Sequence, residues 1–397
     1  MPRSRAGEES FMVTTYRWFL SLSGRQKVIL LLTVIACVAM ISPALLMDTA
    51  SQEDGREHFT VDMPIRRIAP RLGVTGKALA RELDLPLSVP KDTPLRQLGV
   101  TQERLSHATV HLLSHGDRTG KYWIFLALAL AGFVYLNVLG RPDGTGNEQR
   151  NVRYPRFPCI AVLTISVLAA GFCLGKSPNP MESIVKVFKS MVGLYPDPAL
   201  KVAAFLFFAA LAVVGNKIIC GWACPFGALQ ELIYSIPLFR RAKRWRAPFA
   251  LTNTVRILFF LLTLLFLFGV VGGRKGFVLY HYINPFNLFN MDIEGAGVLM
   301  AVIPTLAGSF FMYRPFCQLA CPFGLVSWIC ERVSVTRVRI DRDLCTRCGA
   351  CARACPLPAA ADRVQGRKMP ADCFSCGRCL NVCPEDAIRY GSVFNRS

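Results

Sequence analysis

Charged residues are scarce in this sequence, and acidic residues are the scarcest. Asp, Glu, Lys and Arg together make up 18% of its 397 residues, whereas 52% are hydrophobic. Only 26 residues are acidic against 46 Lys and Arg, so the formal net charge is +20. Ordinary soluble domains do not combine so few charges with several long apolar runs. The composition therefore predicts a membrane protein whose basic loops fix its orientation and contact anionic lipid.

Several binding motifs are also missing. No run of basic and aromatic residues typical of nucleic-acid recognition occurs, so the positive charge does not indicate a nucleic-acid partner. No His lies within any of the long apolar runs, which argues against a b-type haem held between helices by two His side chains. No Cys-x2-Cys-His occurs, so covalent c-type haem is not indicated.

Six apolar runs have roughly the 20 residues that a helix needs to cross a bilayer. We place them at 28–47, 122–139, 158–175, 202–219, 255–272 and 296–313. The first follows a basic leader and has a long apolar core, which favours an uncleaved anchor over a signal peptide. Lys217, near the end of the fourth run, is expected to extend its ammonium group to the membrane interface.

The positions of basic residues predict the orientation of the chain. Basic residues precede the first run, fill the loop between the second and third runs, and recur as "RRAKRWR" at 240–246. We expect these loops on the cytoplasmic side of a bacterial inner membrane, so both termini would face the cytoplasm. Residues 48–121 would then form a small helical domain outside the membrane.

This outer segment contains a weak internal repeat, "LGVTGKAL" and "LGVTQERL", in which each Thr is expected to cap a helix. Its end, "HATVHLLSH", places His107, His111 and His115 on one helix face, a geometry that could ligate a metal. A solvent-exposed helix face explains the same spacing, because no carboxylate or Cys partner is evident nearby.

Cysteines are plentiful: sixteen are present, and twelve of them fall into four tight groups. Such grouping favours metal binding over disulfides. Two groups, "CTRCGACARACP" and "CFSCGRCLNVCP", both have the pattern Cys-x2-Cys-x2-Cys-x3-Cys-Pro. In this pattern three close thiolates bind one [4Fe-4S] cluster, and the fourth Cys of each run binds the other cluster. Zinc sites use pairs of Cys and lack this doubled arrangement.

The pattern predicts two interleaved ligand sets. The first set is Cys345, Cys348, Cys351 and Cys383, and the second set is Cys373, Cys376, Cys379 and Cys355. Gly349 and Gly377 are expected to let the backbone turn tightly around the sulfur atoms. Arg347, Arg353 and Arg378 lie beside these cysteines, where they would either face solvent or dock an acidic partner protein.

The remaining two groups repeat one cassette, Cys-x3-Cys-Pro-Phe-Gly, at 220–227 and 317–324. On a helix this spacing would place both sulfurs on one face, with Pro225 and Pro322 ending the helices. Two such helix ends would together offer four thiols, namely Cys220, Cys224, Cys317 and Cys321. These thiols could bind a third iron–sulfur cluster or a copper ion, form redox-active disulfides, or serve packing alone.

Each cassette ends a unit of the same order: Asn-Pro, an amphipathic segment, an apolar run and then the cassette. The two units begin at Asn179 and Asn284. This order indicates a duplicated hairpin, which would bring the two cassettes together by pseudo-symmetry.

Residues 338–390 resemble the bacterial dicluster ferredoxins, including the short strand expected at "DAIRYG". With the two Cys-x3-Cys-Pro motifs included, residues 158–390 are similar to the NapH/NosR/CcoG-like family of membrane ferredoxin-type proteins. The resemblance implies a membrane electron carrier between quinol or a cytoplasmic donor and an acceptor. The chain departs from that family in two extra runs, in the outer helical domain, and in lacking a Ser/Thr-Gly-Ala-Thr motif for covalent flavin.

The expected architecture is an α-helical membrane protein with about six transmembrane helices, a small outer helical domain and a C-terminal α+β dicluster ferredoxin domain. The expected domain bounds are 1–47, 48–121, 122–336 and 337–397. We expect a relay of single electrons between the quinone pool, or a cytoplasmic donor such as a ferredoxin, and a partner redox protein. Such a chain would be a component of a complex rather than a stand-alone enzyme. A copper-binding and copper-reducing accessory protein and a redox-sensing membrane regulator are the alternatives.

Overall fold

Helices form most of the part of the chain that the structure, a computed structural model, describes. The described residues are 59–72, 76–86, 89–114, 119–139, 157–193, 198–238, 243, 246–272, 277–291, 296–367 and 370–393. The predicted first apolar run, 28–47, lies outside them.

Within the described residues, a small helical unit comes first. It contains α1 (Ile65–Arg71), α2 (Gly76–Glu82), a 3-10 turn (Leu95–Leu98) and α3 (Gln102–Ser114). Its own apolar core includes the fully buried Ile65, Leu79, Leu95 and Leu105. Thr101 caps α3 as predicted, because its Oγ1 accepts a hydrogen bond from the backbone N of Arg104 at 3.3 Å. The position of this unit outside the membrane stays a prediction.

Longer apolar helices follow. They are α4 (Thr119–Leu139), α5 (Phe157–Ile165), which continues as a π-helix over Ser166–Cys173, α7 (Pro198–Gly215), α9 (Phe249–Leu267) and α11 (Ala296–Gly308). Within the described residues, three segments are long and apolar enough to cross a membrane: Gly120–Leu139, Pro198–Gly215 and Phe249–Leu267. The predicted runs 158–175 and 296–313 fall on shorter apolar helices, so the count of six spans stays a prediction.

Two shorter segments begin at the Asn-Pro sequences. Asn179 caps α6 (Pro180–Met191) by accepting a hydrogen bond from the backbone N of Glu182 at 2.8 Å. Asn284 caps a 3-10 helix (Pro285–Asn290), which follows α10 (Leu279–Tyr282), by accepting from the backbone N of Phe286 at 3.1 Å. Both prolines occupy the first helical turn, where a missing N–H costs nothing. The Asn cap is therefore repeated, whereas the helices that it begins differ: α6 is an α-helix of 12 residues and the second is a 3-10 helix of 6 residues.

The cassettes differ from the prediction that proline ends their helices. Cys224 and Cys321 are extended, with ψ of 115° and 117°, and Pro225 and Pro322 each begin a new helix. The first cassette runs through a π-helical turn (Ile219–Ala223) into α8 (Pro225–Ser235). The second runs from α12 (Pro315–Leu319) into α13 (Pro322–Cys330) and a 3-10 turn (Glu331–Val333). Each cassette is therefore a bend between two helical segments, with a Cys on each side of it.

The C-terminal part is built on a two-stranded antiparallel sheet. Strand β1 (Thr336–Ile340) pairs with β2 (Ile388–Ser392), so that Val338 lies opposite Tyr390. Between the strands lie α14 (Ala350–Ala354), α15 (Ala359–Val364) and a 3-10 turn (Leu380–Val382). The sheet is attached to the end of α7, because the Tyr390 hydroxyl donates to the Gly215 carbonyl O at 2.8 Å. This attachment places the cysteine-rich segments against the cassettes.

Candidate functional site

The first predicted ligand set lines one cavity at the outer end of the C-terminal part. All four of its members contribute to the lining: Cys345, Cys348, Cys351 and Cys383. Cys351 also lies within electrostatic range of the other three sulfur atoms. Cys348 is exposed at the surface, whereas Cys351 and Cys383 are buried. One side of this cavity therefore faces solvent.

The second predicted set lines a separate cavity closer to the helical part. Its four cysteines are Cys355, Cys373, Cys376 and Cys379. Cys355 belongs to the first sequence motif, yet it lies within electrostatic range of Cys379 in this second cavity. The structure thus brings together the groups that the interleaved pattern predicts, and their role as cluster ligands stays a prediction.

The backbone around both cavities has the predicted turns. Gly349 and Gly377 have positive φ values of 74° and 82°, a region that glycine adopts without a steric penalty. Strand β2 lies where a strand was expected after the second motif.

The donor set of these cavities fits iron–sulfur clusters. Burial raises the pKa of the Cys376 thiol to about 12, and the nearby Glu231 carboxylate acts in the same direction. Four cysteine side chains around one cavity can all be thiolates only if a cationic core offsets their charge, and an iron–sulfur cluster supplies such a core. Among the described residues, no three His, Cys, Asp or Glu side chains are grouped closely enough to hold one metal ion. Four thiolates around a cubane are further apart than four around one ion, so this finding concerns a mononuclear site only.

The structure also brings the two cassettes together. Cys321 lies within electrostatic range of the other three cassette sulfurs, Cys220, Cys224 and Cys317. Three of the four are buried, and Cys321 is partly buried. None of the fifteen cysteines in the described part of the chain forms a disulfide.

Two cations occupy the same position in the two cassettes, three residues before the first Cys. Lys217 and Arg314 both have positive φ values, 62° and 47°, and both side chains have no exposed surface. The expectation that Lys217 reaches the membrane interface is therefore wrong. Its ammonium group instead points into the protein and pairs with Asp372 of the C-terminal part.

Buried ion pairs join the helical part to the C-terminal part. Asp372 accepts from Lys217 and also from Arg256 of α9, whose Nη1 lies 3.0 Å from its Oδ2. Glu231 of α8 pairs with Arg314 at 3.2 Å and with Arg378 at 2.6 Å. Sequence reasoning missed Arg256, Glu231 and Asp372. Arg256 could have been found from the sequence, because it is a charged residue inside a predicted span and such residues usually have a function.

The cations also contact the cassette backbone. Arg314 donates to the carbonyl O atoms of Cys220 and Gly221, the latter at 2.8 Å. Arg256 donates to the carbonyl O of Cys317 at 3.3 Å. Each cassette thus has an arginine on the carbonyl of its first Cys, and in the first cassette that arginine comes from the opposite unit of the repeat.

The second cysteine set lies directly against the cassettes. The ring of Phe374, next to Cys373, has the Lys217 Nζ at 5.1 Å and the Arg314 guanidinium at 5.2 Å from its centroid. Trp222, inside the first cassette, donates from its indole N–H to the Ser375 carbonyl O at 3.0 Å. An added Cβ on Gly221 would clash with the Phe374 carbonyl O. Glycine is therefore required where the two parts meet.

The basic residues predicted beside the cysteines have different environments. Arg378 is largely buried in its pair with Glu231, so it does not form part of a docking surface. Arg347 and Arg353 are exposed, and Arg353 donates to the Cys348 carbonyl O at 3.0 Å. His107 is exposed on α3. The His111 side chain and His115 lie outside the described residues.

Comparison with protein families matches both cysteine-rich regions. A model described as a 4Fe-4S binding domain matches residues 200–246 and 295–340, each of which contains one cassette. A second model, described as a 4Fe-4S dicluster domain, matches residues 337–384, which contain both C-terminal motifs. No solved structure matches the chain.

Several curated proteins are similar to this chain. The regulatory protein NosR of Pseudomonas aeruginosa is 29% identical over 41% of the chain and 23% of NosR. The ferredoxin-type protein NapH of Haemophilus influenzae is 27% identical over 51% of the chain and 71% of NapH. YccM of Escherichia coli, named for electron transport, is 27% identical over 42% of the chain. That match spans 50% of the length of YccM.

Proposed function

Because this chain belongs to the NapH- and NosR-like family of ferredoxin-type proteins, we propose that it relays single electrons within a membrane. In this proposal the first and second cysteine sets each hold a [4Fe-4S] cluster, and the four cassette cysteines hold a third. The clusters, when bound, supply one-electron chemistry. The observation that carries the proposal is the continuous arrangement of three four-cysteine groups, from an exposed cavity to the buried cassettes.

The order of the three groups follows from their exposure. The first set has an exposed cysteine, Cys348, and so offers the point where a soluble redox partner could approach. The second set lies between the first set and the cassettes, with Cys355 supplied by the motif of the first. Arg314 is within electrostatic range of both Cys317 of a cassette and Cys376 of the second set. Neighbouring groups are thus linked by shared residues.

The charges around the cassettes support a bound anionic centre. Lys217, Arg256 and Arg314 have no exposed surface, and Arg363 and Arg378 are largely buried. The buried carboxylates that pair with these five cations are Asp372, Glu231 and Glu331. Buried cations that outnumber their carboxylates need further negative charge nearby. Cassette thiolates supply it, because four thiolates around a dicationic core leave a net negative charge. Two disulfides would carry no charge and would leave the balance unmet.

The proposal places the chain in the inner membrane with both termini in the cytoplasm. Arg246, at the end of the basic loop 240–246, donates to the Arg353 carbonyl O at 2.9 Å. Arg246 and Arg353 of the cysteine-rich part therefore lie on the same side of the helices. A basic loop is retained in the cytoplasm, so the exposed first cluster site would meet cytoplasmic partners such as a ferredoxin. The quinone pool or a partner redox protein of the membrane would be the other partner.

Electron paramagnetic resonance (EPR) spectroscopy tests the proposed relay. The protein is purified without oxygen, and menaquinol or reduced ferredoxin is added in separate samples. We expect signals of reduced clusters to appear with at least one of these donors. The proposal is wrong if dithionite reduces the clusters but neither physiological donor does. Copper in the cassettes, with iron only in the C-terminal part, would favour the metal-handling alternative.

A further inference from the structure

Two polar side chains occupy equivalent positions in the duplicated units. Gln230 and Ser327 each lie three residues after the cassette glycine, and 97 positions separate them, as 97 positions separate Cys220 from Cys317. Gln230 is on α8 and Ser327 is on α13. Both side chains have no exposed surface. Neither is needed for the ion pairs described above.

Each of these side chains contacts a sulfur atom of the opposite unit. The Gln230 amide donates from Nε2 to the Cys317 Sγ at 3.4 Å. The Cys220 Sγ donates to the Ser327 Oγ at 3.9 Å. The two contacts cross between the units, so the first Cys of each cassette has a polar partner supplied by the other cassette's helix.

The orientation of the Gln230 amide is fixed by backbone groups. Its Oε1 accepts from the backbone N of Phe316 at 3.1 Å, which leaves Nε2 to face the sulfur. Nε2 also donates to the Phe226 carbonyl O at 3.1 Å. An amide held at both ends keeps its donor aimed at Cys317.

The Ser327 contact changes its direction when Cys220 is a ligand. A metal-bound cysteine is a thiolate and has no hydrogen to donate. The Ser327 hydroxyl, which donates to the Gly324 carbonyl O at 3.1 Å, then carries the hydrogen that can point at the sulfur. The Ser327 hydroxyl is a weaker donor to sulfur than the Gln230 amide, because its hydrogen has two possible acceptors and its oxygen lies farther from the sulfur atom.

We infer that Gln230 and Ser327 raise the reduction potential of the cassette centre by donating hydrogen bonds to its ligand sulfurs. This inference rests on the proposed third cluster. Hydrogen bonds to cluster sulfurs are one of the means by which proteins set the potential. Reduction adds one electron to the centre and makes its ligand sulfurs more negative. A hydrogen-bond donor therefore stabilises the reduced state more than the oxidised state. Gln230 has the larger effect, since its donor is closer and fixed.

The test is an EPR-monitored redox titration of the whole protein with dithionite as the reductant. Gln230→Met removes the donor at similar length, and Ser327→Ala removes the hydroxyl. We expect Gln230→Met to lower the reduction equilibrium constant of the cassette centre about tenfold, which is 59 mV for one electron. Ser327→Ala should lower this equilibrium constant less, and Ser327→Thr, which keeps the hydroxyl, should leave it at the wild-type value. The two C-terminal clusters are internal references whose potentials stay unchanged.

Ser183→Ala is the matched control, because the buried Ser183 hydroxyl donates to the Pro180 carbonyl O on α6. An unchanged cassette potential in Gln230→Met, with the third centre present, overturns the inference. If Gln230→Met does not fold, Ser327→Ala is the test: a lowered cassette potential supports the inference, and an unchanged or higher one overturns it. A wild-type protein with no third centre would instead disprove the cassette cluster itself.

Discussion

Asp372 is one of the buried side chains that attach the C-terminal part to the helical part. It is 2% exposed and pairs with both Lys217 and Arg256, which come from different segments of the helical part. A buried carboxylate that satisfies two cations cannot be removed without leaving charge uncompensated. The pairing is also the reason why Lys217 does not reach the membrane interface.

Asp372→Asn is therefore expected to destabilise the protein by about 3–5 kcal/mol, the typical cost of breaking a buried ion pair. Thermal unfolding in detergent, followed by tryptophan fluorescence, measures this change. Asp343→Asn is the control, because Asp343 is exposed. Equal unfolding temperatures for the Asp372 variant and the wild-type protein would show that the ion pairs contribute nothing to the attachment.

The Glu182 carboxyl makes the stability of the fold depend on pH. Burial alone would raise its pKa, but the Lys186 ammonium at 2.9 Å, with hydrogen bonds from Lys186 and Ser177, lowers the pKa to about 2. A carboxyl with a lowered pKa stabilises the fold above its ordinary pKa of 4.5, and this contribution is lost as the pH falls from about 4.5 to about 2.

Glu182→Gln should therefore lower stability by about 2 kcal/mol at pH 7. The difference from wild type should shrink as the pH falls below about 4.5. Thermal unfolding of both proteins across this range is the measurement, and the acid sensitivity of bound clusters affects both equally. A difference that stays constant down to pH 3 contradicts the assigned role of the Lys186 pair.

At the scale of elements, the cassettes show what local sequence patterns can and cannot predict. The spacing Cys-x3-Cys was expected to lie on one helix, with proline at its end. Proline ends one helix and also favours the first turn of the next, so the sequence pattern alone is ambiguous. The structure begins helices at Pro225 and Pro322, and this bend brings all four sulfurs together. The meeting of the two cassettes was predicted correctly, from the repeat.

The interleaved assignment of the two C-terminal motifs can be tested with single cysteine variants. Cys355 belongs to the first motif but lines the second cavity, next to Cys379. Cys355→Ser should therefore weaken or abolish the EPR signal of the second cluster and leave that of the first. Cys348→Ser is the matched variant and should do the reverse. Loss of the first cluster's signal alone in Cys355→Ser would contradict the interleaved assignment.

Site residues that depend on local geometry could be predicted from the sequence, whereas those that depend on long-range contacts could not. Cysteine spacing and the positions of Gly349 and Gly377 depend on local geometry, so both were predictable. The partners Lys217 and Asp372 are 155 residues apart, and no local periodicity links them. Arg256 was visible as a charge within an apolar run, but its partner was not. Long-range ion pairs of this kind depend on how separate elements dock.

In the molecule as a whole, the second cysteine set of the C-terminal part packs against the helical part that carries the cassettes. Three described helices are long and apolar enough to span a membrane, and the sheet is bonded to the end of one of them through Tyr390 and Gly215. The general class, a helical membrane-associated chain with a dicluster domain, followed from composition and motifs. The docking between its parts did not, because it depends on buried charges and on close approach at Gly221.

Iron and acid-labile sulfide per chain, measured after purification without oxygen, test the central claim most directly. Three four-cysteine groups that each hold a [4Fe-4S] cluster predict about twelve irons and about twelve sulfides per chain. Cys220→Ser combined with Cys317→Ser should reduce both counts to about eight. About eight irons in the wild-type protein would contradict the cassette cluster, and zinc in place of iron would contradict the account as a whole.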